Sequence, residues 1–444
     1  MNFRFNIDDK PSRGALLLYG LQWLIICIPV VLTSTFVAPE GSEVFFTQKL
    51  FAVCGITIAT QVLFGHRLPL VAGPAAVLLM GVLAASTQNH SAETIYPSII
   101  IGGALVTLLA AVGAMKYIQK LFTPRIVAAI VLLVAFTIAK PIVGLIFADK
   151  AHAGLALVMT IVGLAVMAWA NKIFKGIWKS SVVILAMILG SLFYYAMTDF
   201  PTEFKSDSAD AKLFVTDYNL DAGVIIAFIF CYIALLINQV GSVESLGKMV
   251  EAPNMAKRQK RGLLITGVMN IISGAVGTLG PVDYSLSPGV VASTSCASRY
   301  AILPAAVAMI VLALFPDAVA VLLAIPRPIM GIVLLFLMST QVAAGLELIK
   351  STKAVQSFRD GLVLGIPIML TTILSFAPAE AMAVVPSLLR PIVGNGFVMG
   401  IIVIILLEHL VLRETENGTD AKPSAEIACK LCRGAKEEKP AKQD

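Results

Sequence analysis

Residues 280–290, GPVDYSLSPGV, set an aspartate, a tyrosine and two serines among two glycines and two prolines. Asp283 can accept hydrogen bonds and can take up or release a proton. Tyr284 and Ser287 can donate and accept, and Leu286 can do neither. Apolar sequence runs on both sides, so the stretch is a break inside hydrophobic chain. Proline suits the first turn of a helix and stops an earlier helix from passing through it. The stretch therefore reads as an extended segment leading into a half-helix. The first N–H groups of that half-helix form a partial positive pole and a set of donors. An acid at membrane depth is costly, which makes Asp283 a functional candidate for substrate binding or ion coupling.

A second break, LPLVAGPAAVLL (residues 68–79), carries Gly73-Pro74 and reads as an extended stretch followed by a half-helix starting near mid-membrane. Irregular backbone at that depth is tolerated only where it is buried or lines a cavity. Two such breaks at corresponding places in two halves of a chain point to a binding site. Glu244 is a second ion-coupling candidate, but it lies six residues after Asn238 and faces another side of the same helix. Lys248 at i+4 is its expected partner. Lys140-Pro141 interrupts a span, and the lysine is expected to reach the outer interface.

His66, His90, His152 and His409 fall at expected loops or span ends, so no histidine proton relay is expected. Cys27, Cys54, Cys231 and Cys296 lie in or beside apolar runs and read as small core residues. Cys429 and Cys432 form a lone CxxC in a polar tail, which reads as two incidental thiols rather than a metal site. The chain has no Walker loop, nucleophile elbow or zinc-protease helix, and its polar residues do not cluster for acid–base work. It does not read as an enzyme, and no nucleic-acid partner is expected.

The elements that must hold these residues follow from composition. Hydrophobic residues make up 58% of the chain and charged ones 14%, whereas a soluble domain carries roughly 25% charged residues. Apolar windows of about 18–24 residues recur, each able to cross a hydrocarbon core ~30 Å thick. The fold class is all-α and polytopic, with the lipid bilayer as partner. Fourteen candidate spans lie near 14–36, 47–64, 68–87, 94–116, 124–147, 152–170, 178–197, 222–241, 261–279, 284–298, 301–315, 326–348, 360–377 and 393–412. The first follows a charged start and is too long for a cleaved signal, so it reads as retained.

Alternate loops carry the Lys/Arg excess, including Arg67, Lys116 to Arg125, Lys172 to Lys179, Lys248 to Arg261 and Lys350 to Arg359. The intervening loops carry Glu40, Glu43, Asp199, Glu203, Asp217 and Asp221. Both termini are therefore expected in the cytoplasm of a cell with this protein in its inner membrane. The polar connection 198–221 divides the chain into 14–197 and 222–412, seven spans each. An odd number per half gives inverted repeats, a transporter architecture. Residues 1–13 read as a cytoplasmic N-terminus and 413–444 as a disordered cytoplasmic tail.

With these residues in view, the chain resembles the nucleobase–ascorbate transporter family over residues 14–412. The resemblance rests on GLQW (20–23), FGHRLPLVAGP (64–74), NQVGSVESLG (238–247), RGLLITGVMNIISGAVGTLGPVDYSLSPG (261–289) and IPRPIMGIVLL (325–335). It implies a core of spans 1–4 and 8–11, a gate of spans 5–7 and 12–14, and short strands in spans three and ten that meet at the substrate. It also implies a homodimer that moves a base with protons or sodium. The substrate site would lie between Ala76, Asn238, Ser242 and Tyr284–Ser287, with Gln22 beside it.

This chain departs from the pattern in its acids. Asn238 stands where the family places a glutamate, Ser242 where a histidine or aspartate is common, Leu286 where an acid or amide opens the signature motif, and Ser287 at the following asparagine. Trp23 replaces the histidine after Gln22. Asn238 can hydrogen-bond a base but cannot carry a proton. The expected function is secondary transport of a purine, pyrimidine or related heterocycle such as urate, with a coupling proton or sodium ion and no other cofactor. Such a site suits a neutral or anionic ligand. Transport of a small organic or inorganic anion on the same fold, or a transport-inactive receptor or scaffold, are the alternatives.

Overall fold

The apolar runs form helices because a backbone in hydrocarbon must satisfy its own N–H and C=O groups. The computed structural model describes residues 3–113, 123–174, 182–198, 213–284, 286–378, 381, 384–386 and 389–412. Ser285 and the Cys429/Cys432 pair lie outside the described residues.

The first half contains α1 (Arg13–Leu32), α2 (Glu43–Leu63), β1 (Ala72–Pro74), α3 (Ala76–Thr87), α4 (Ala92–Val112), α5 (Pro124–Thr137), α6 (Ala139–Ile146), α7 (Ala153–Ile173) and α8 (Val182–Met197). The second contains α9 (Ala222–Met249), α10 (Met255–Ala275), β2 (Pro281–Asp283), α11 (Ser287–Thr294), α12 (Leu303–Leu312), α13 (Pro316–Leu323), α14 (Arg327–Thr352), α15 (Phe358–Phe376) and α16 (Gly396–Leu406). Among the described residues, eight apolar helical stretches of 19 to 28 residues are long enough to cross a membrane, with shorter apolar helices beside them.

Several element boundaries differ from the hydropathy reading. Expected span five breaks at Ile138 into α5 and α6. The eleventh continues through a 99° bend into α13, which lies in the expected connection between spans eleven and twelve. The eighth runs 28 residues, because NQVGSVESLGKM remains helical despite its polar residues. The tenth keeps only eight helical residues and stops where Ser295 turns left-handed, at φ 51°. Hydropathy reports burial in lipid and is blind to where the backbone leaves the helix.

The helices pack into two groups. Helices α1–α4 and α9–α12 surround the strands, and α5–α8 with α14–α16 form the other group. The two groups touch where α3 meets α5, α1 meets α8, and α9 meets α16 and the short turn Arg390–Val393. In the first group α4 and α10 cross with their backbones in close approach. A Cβ added at Gly267 would lie 2.7 Å from Thr107 N and 2.9 Å from Gly103 O, and one at Gly274 would lie 2.8 Å from Tyr96 O. Small residues permit this approach between membrane helices.

Residues 4–9 run beside the chain that follows α11. Arg4 N donates to Ser295 O (2.8 Å), Ala297 N to Phe5 O (2.9 Å) and Arg299 N to Ile7 O (3.0 Å). Arg299 also pairs with Asp8 at 2.8 Å.

Candidate functional site at the strand crossing

The two sequence breaks meet. Strands β1 and β2 pair antiparallel with Ala72 opposite Asp283, Gly73 opposite Val282 and Pro74 opposite Pro281. The chain then enters α3 on one side and α11 on the other. Neither N-cap residue, Ala75 nor Leu286, accepts from its helix through a side chain. The first N–H groups of both half-helices therefore lack the usual side-chain cap.

Hydrogen bonds lock the crossing. Tyr284 Oη donates to Pro74 O (2.6 Å), and Tyr284 N donates to Val71 O (2.8 Å). Ser287 Oγ accepts from Val71 N and donates to Tyr284 O, each at 3.0 Å. Buried Asn270 donates to Pro281 O (2.9 Å) and accepts from Tyr232 Oη (2.9 Å). Gly73 is needed here: a Cβ would overlap Val30 and lie 3.0 Å from the Tyr284 ring.

The expected site residues separate into two sets. Gln22, Ala76, Asn238, Tyr284 and Leu286 are half-buried. A Cβ added at Gly241, three residues after Asn238, would meet nothing within 4 Å, so the space along that face of α9 is open. Gln22 Oε1 and Ser242 Oγ are buried without a hydrogen-bond partner. Each sits on a helix packed against the strands, α1 against β1 and α9 against β2.

Asp283 turns the other way, into the protein, and is 1% exposed. It neither caps α11 nor faces water. Its Oδ2 accepts from Gln239 Nε2, and its backbone N–H donates to Gln239 Oε1 at 2.8 Å. His66 Nε2 lies 3.1 Å from the same Oδ2, off the line of a good hydrogen bond.

The loop position expected for His66 holds, but its burial does not follow from the sequence. His66 follows α2 and precedes an arginine, which suggested a loop, yet it is fully buried. The chain turns back at Arg67 (φ 57°) directly into the re-entrant strand, folding His66 beneath it. Gly262 of α10 leaves room: a Cβ there would lie 3.3 Å from His66 Cβ. Gln239 lies one residue beyond Asn238, and nothing in its local sequence marks it as the partner of Asp283. The helical phase that leaves Asn238 half-buried turns Gln239, with Val243 one turn on, into the interior.

Glu244 is engaged as its spacing suggested, with Lys248 at 3.1 Å and Gln259 at 2.6 Å. Cys27, Cys54, Cys231 and Cys296 are free and buried. Among the described residues no group of three or more His, Cys, Asp or Glu side chains could hold a metal ion. A cavity of about 320 Å³ lies at the starts of α2 and α4, lined by Glu40, Phe45, Lys49, Glu93, Tyr96 and Asp217. None of the expected substrate residues lines it.

A family model described as a permease family (Xan_ur_permease) matches residues 14–380. A protein of Clostridium perfringens (strain 13 / Type A), provisionally named a purine permease, is 23% identical, with 95% of each chain covered. The xanthine permease of Bacillus subtilis (strain 168) is 21% identical over 94% of this chain and 98% of its own. The uric acid permease PucK of the same organism is 19% identical over 94% and 100%. Among solved structures, the transmembrane domain of the cyanobacterial bicarbonate transporter BicA superposes with TM-score 0.60 at 12% identity, covering 83% of this chain and 98% of that one. Murine Slc26a9, an anion transporter in its inward-facing state, gives 0.56 at 13% identity, covering 90% and 69%. At these identities the two structures establish the fold.

Proposed function

Because this chain belongs to the nucleobase–ascorbate transporter family, we propose that it carries a purine or a related heterocyclic base across the cell membrane at the β1–β2 crossing. The observation that carries this reading is the pair of buried, unpartnered polar atoms, Gln22 Oε1 and Ser242 Oγ. They flank two half-helices without side-chain caps. Leaving buried polar atoms unmade costs stability, so a site that keeps them is built for a ligand that completes them. A purine rim offers both N–H donors and O and N acceptors. Gln22 Oε1 would accept an N–H, Asn238 would donate and accept, and backbone N–H groups of α3 and α11 would take an oxygen.

Asp283 faces Gln239 inside the protein, so Asn238 and Ser242 present no charge to the ligand. That favours a neutral base or a singly anionic one such as urate. The permease names of the relatives support the base over a small inorganic anion.

In this reading the chain has fourteen spans in two inverted repeats, 14–197 and 222–412, with both termini in the cytoplasm, and works as a homodimer. The strand-bearing helix group moves as a core against the second group as a gate. Uptake and thermal-shift assays of the purified protein across xanthine, urate, hypoxanthine, uracil and small anions test it. Stabilisation and uptake with at least one base are expected, and Asn238→Ala should weaken that base by roughly tenfold, the worth of one buried hydrogen bond. Response to small anions alone would replace the base with an anion as cargo. Silence across the whole panel would sink the transport reading.

A further inference from the structure

We propose that Asp283 and His66 form a buried proton-binding site, held by Gln239, whose occupancy sets the state of the strand crossing and couples base transport to protons. The coupling half of this rests on the transport reading above; the proton site itself does not.

The ring of His66 cannot serve as a fixed counter-ion. Its Nδ1 accepts from Leu68 N at 3.0 Å, which leaves the ring proton on Nε2, toward Asp283. A second ring proton would have to sit where the Leu68 N–H already points. Other charges do not substitute for it. From α9, Gln239 is the facing group, and Glu244 beyond it is taken by Lys248 and Gln259. From α10, Arg258 spends its guanidinium on the carbonyls of Pro253, His66 and Arg67. From α2 come Gln61, bonded to Gly262 O and Thr266, and the thiol of Cys54. β1 offers only Ala72, Gly73 and Pro74. Among the described residues no lysine or arginine pairs with Asp283.

Neither protonation state is then fully satisfied. Ionised, Asp283 is a buried charge with one side-chain donor on Oδ2, from Gln239, with His66 Nε2 nearby at 3.1 Å, and none on Oδ1. Protonated on Oδ1, it is neutral but its O–H finds no acceptor in this arrangement. A purely structural carboxylate would be satisfied in one state. Here Oδ1 is open, so a proton can be added to it without displacing a partner. The step is simple: Oδ1 takes one proton from the more acidic side and releases it to the other, with no further reactant. Gln239 is a positioning residue, since it grips both the carboxylate and the backbone N–H of Asp283. A change of charge there acts directly on β2, one residue before the Tyr284–Pro74 lock.

Infrared difference spectra of the full-length protein in lipid nanodiscs, stepped between alkaline and acid pH without substrate, test the site. A protonated-carboxyl C=O band is expected, abolished by Asp283→Asn. Gln239→Met, which keeps the carboxyl, should retain the band and displace its pH midpoint. In liposomes, an inward acid gradient should drive xanthine accumulation by the wild type. Asp283→Asn should lower that accumulation by roughly tenfold, the scale of a two-site coupling, while gradient-free xanthine counterflow continues. A band that survives Asp283→Asn, or undiminished gradient-driven accumulation in that variant, overturns the proposal. An unmoved midpoint in Gln239→Met overturns the positioning role. If the wild type neither binds nor exchanges a base, the transport reading falls, and the substrate-free band still decides the proton site.

Discussion

One helical step separates Asn238 from Gln239, and that step divides the polar chemistry of the crossing. Asn238 is half-buried; Gln239 is buried and bonded to Asp283. The carboxylate is thus withheld from the cleft and kept inside with a histidine. Away from the membrane interior, single residues tie helices at the surface in a way that pH can probe. Asp149, between α6 and α7, accepts from Tyr194 Oη on α8 (2.7 Å) and pairs with His152 (2.8 Å). The Tyr194 hydrogen bond, then the His152 one, hold its carboxyl down at about 2, below the ordinary 3.8. A depressed carboxyl contributes stability that is present above the unfolded value and lost as pH falls through the folded one. The tie should therefore be constant across neutral pH and weaken only between about 3.8 and about 2. Thermal melts of Asp149→Asn against the wild type should differ little, because the group is substantially exposed, and any difference should vanish at the acid end. A difference that grows on acidification would reverse the assignment.

At the scale of elements, the crossing depends on how closely α4 and α10 approach. Their contact is backbone against backbone at Gly103, Gly267 and Gly274, and α10 in turn holds β2 through Asn270. Gly267→Leu should drive the helices apart at a cost of about 1–3 kcal/mol, lowering the melting temperature and base uptake together. Gly365→Ala on α15, where an added Cβ meets nothing within 4 Å, is the control expected to change neither. In the second group, Arg125 of α5 plays the corresponding binding role. It pairs with Asp360 of α15 at 2.9 Å and with Glu408, after α16, at 2.7 Å. Each group thus has its own internal ties.

At the scale of the molecule, few contacts join the two groups. One is at the end of α3, where a Cβ added at Gly394 would lie 2.7 Å from Gln88 Nε2. If the strand-bearing group moves against the other, a bond there must arrest it. Gln88→Cys with Gly394→Cys should crosslink under mild oxidation, stop uptake and recover it on reduction. Full uptake by the crosslinked protein would refute relative motion at this contact. The outer face of α7 (Leu157, Val158, Ile161, Trp169) is exposed and apolar, as a lipid-facing surface should be.

Composition and the positions of Gly-Pro breaks were enough to read a polytopic helical protein, the matched interruptions near 74 and 288, and the Glu244–Lys248 pair. Each of these depends on local order along the chain: hydrophobic length, backbone restriction or i,i+4 spacing. The strand register and the burial of His66 depend on contacts more than two hundred residues apart, such as Ala72 with Asp283. No local pattern records them. Hydropathy placed His66 in a loop because it follows the end of an apolar run and precedes Arg67, and only the fold revealed that the loop turns inward toward the buried Asp283. The sequence by itself determined where the chain breaks in the membrane. The tertiary structure decided which face of each broken segment meets the cleft and which closes on the buried aspartate, because that is set by helical phase and by which distant segment packs alongside.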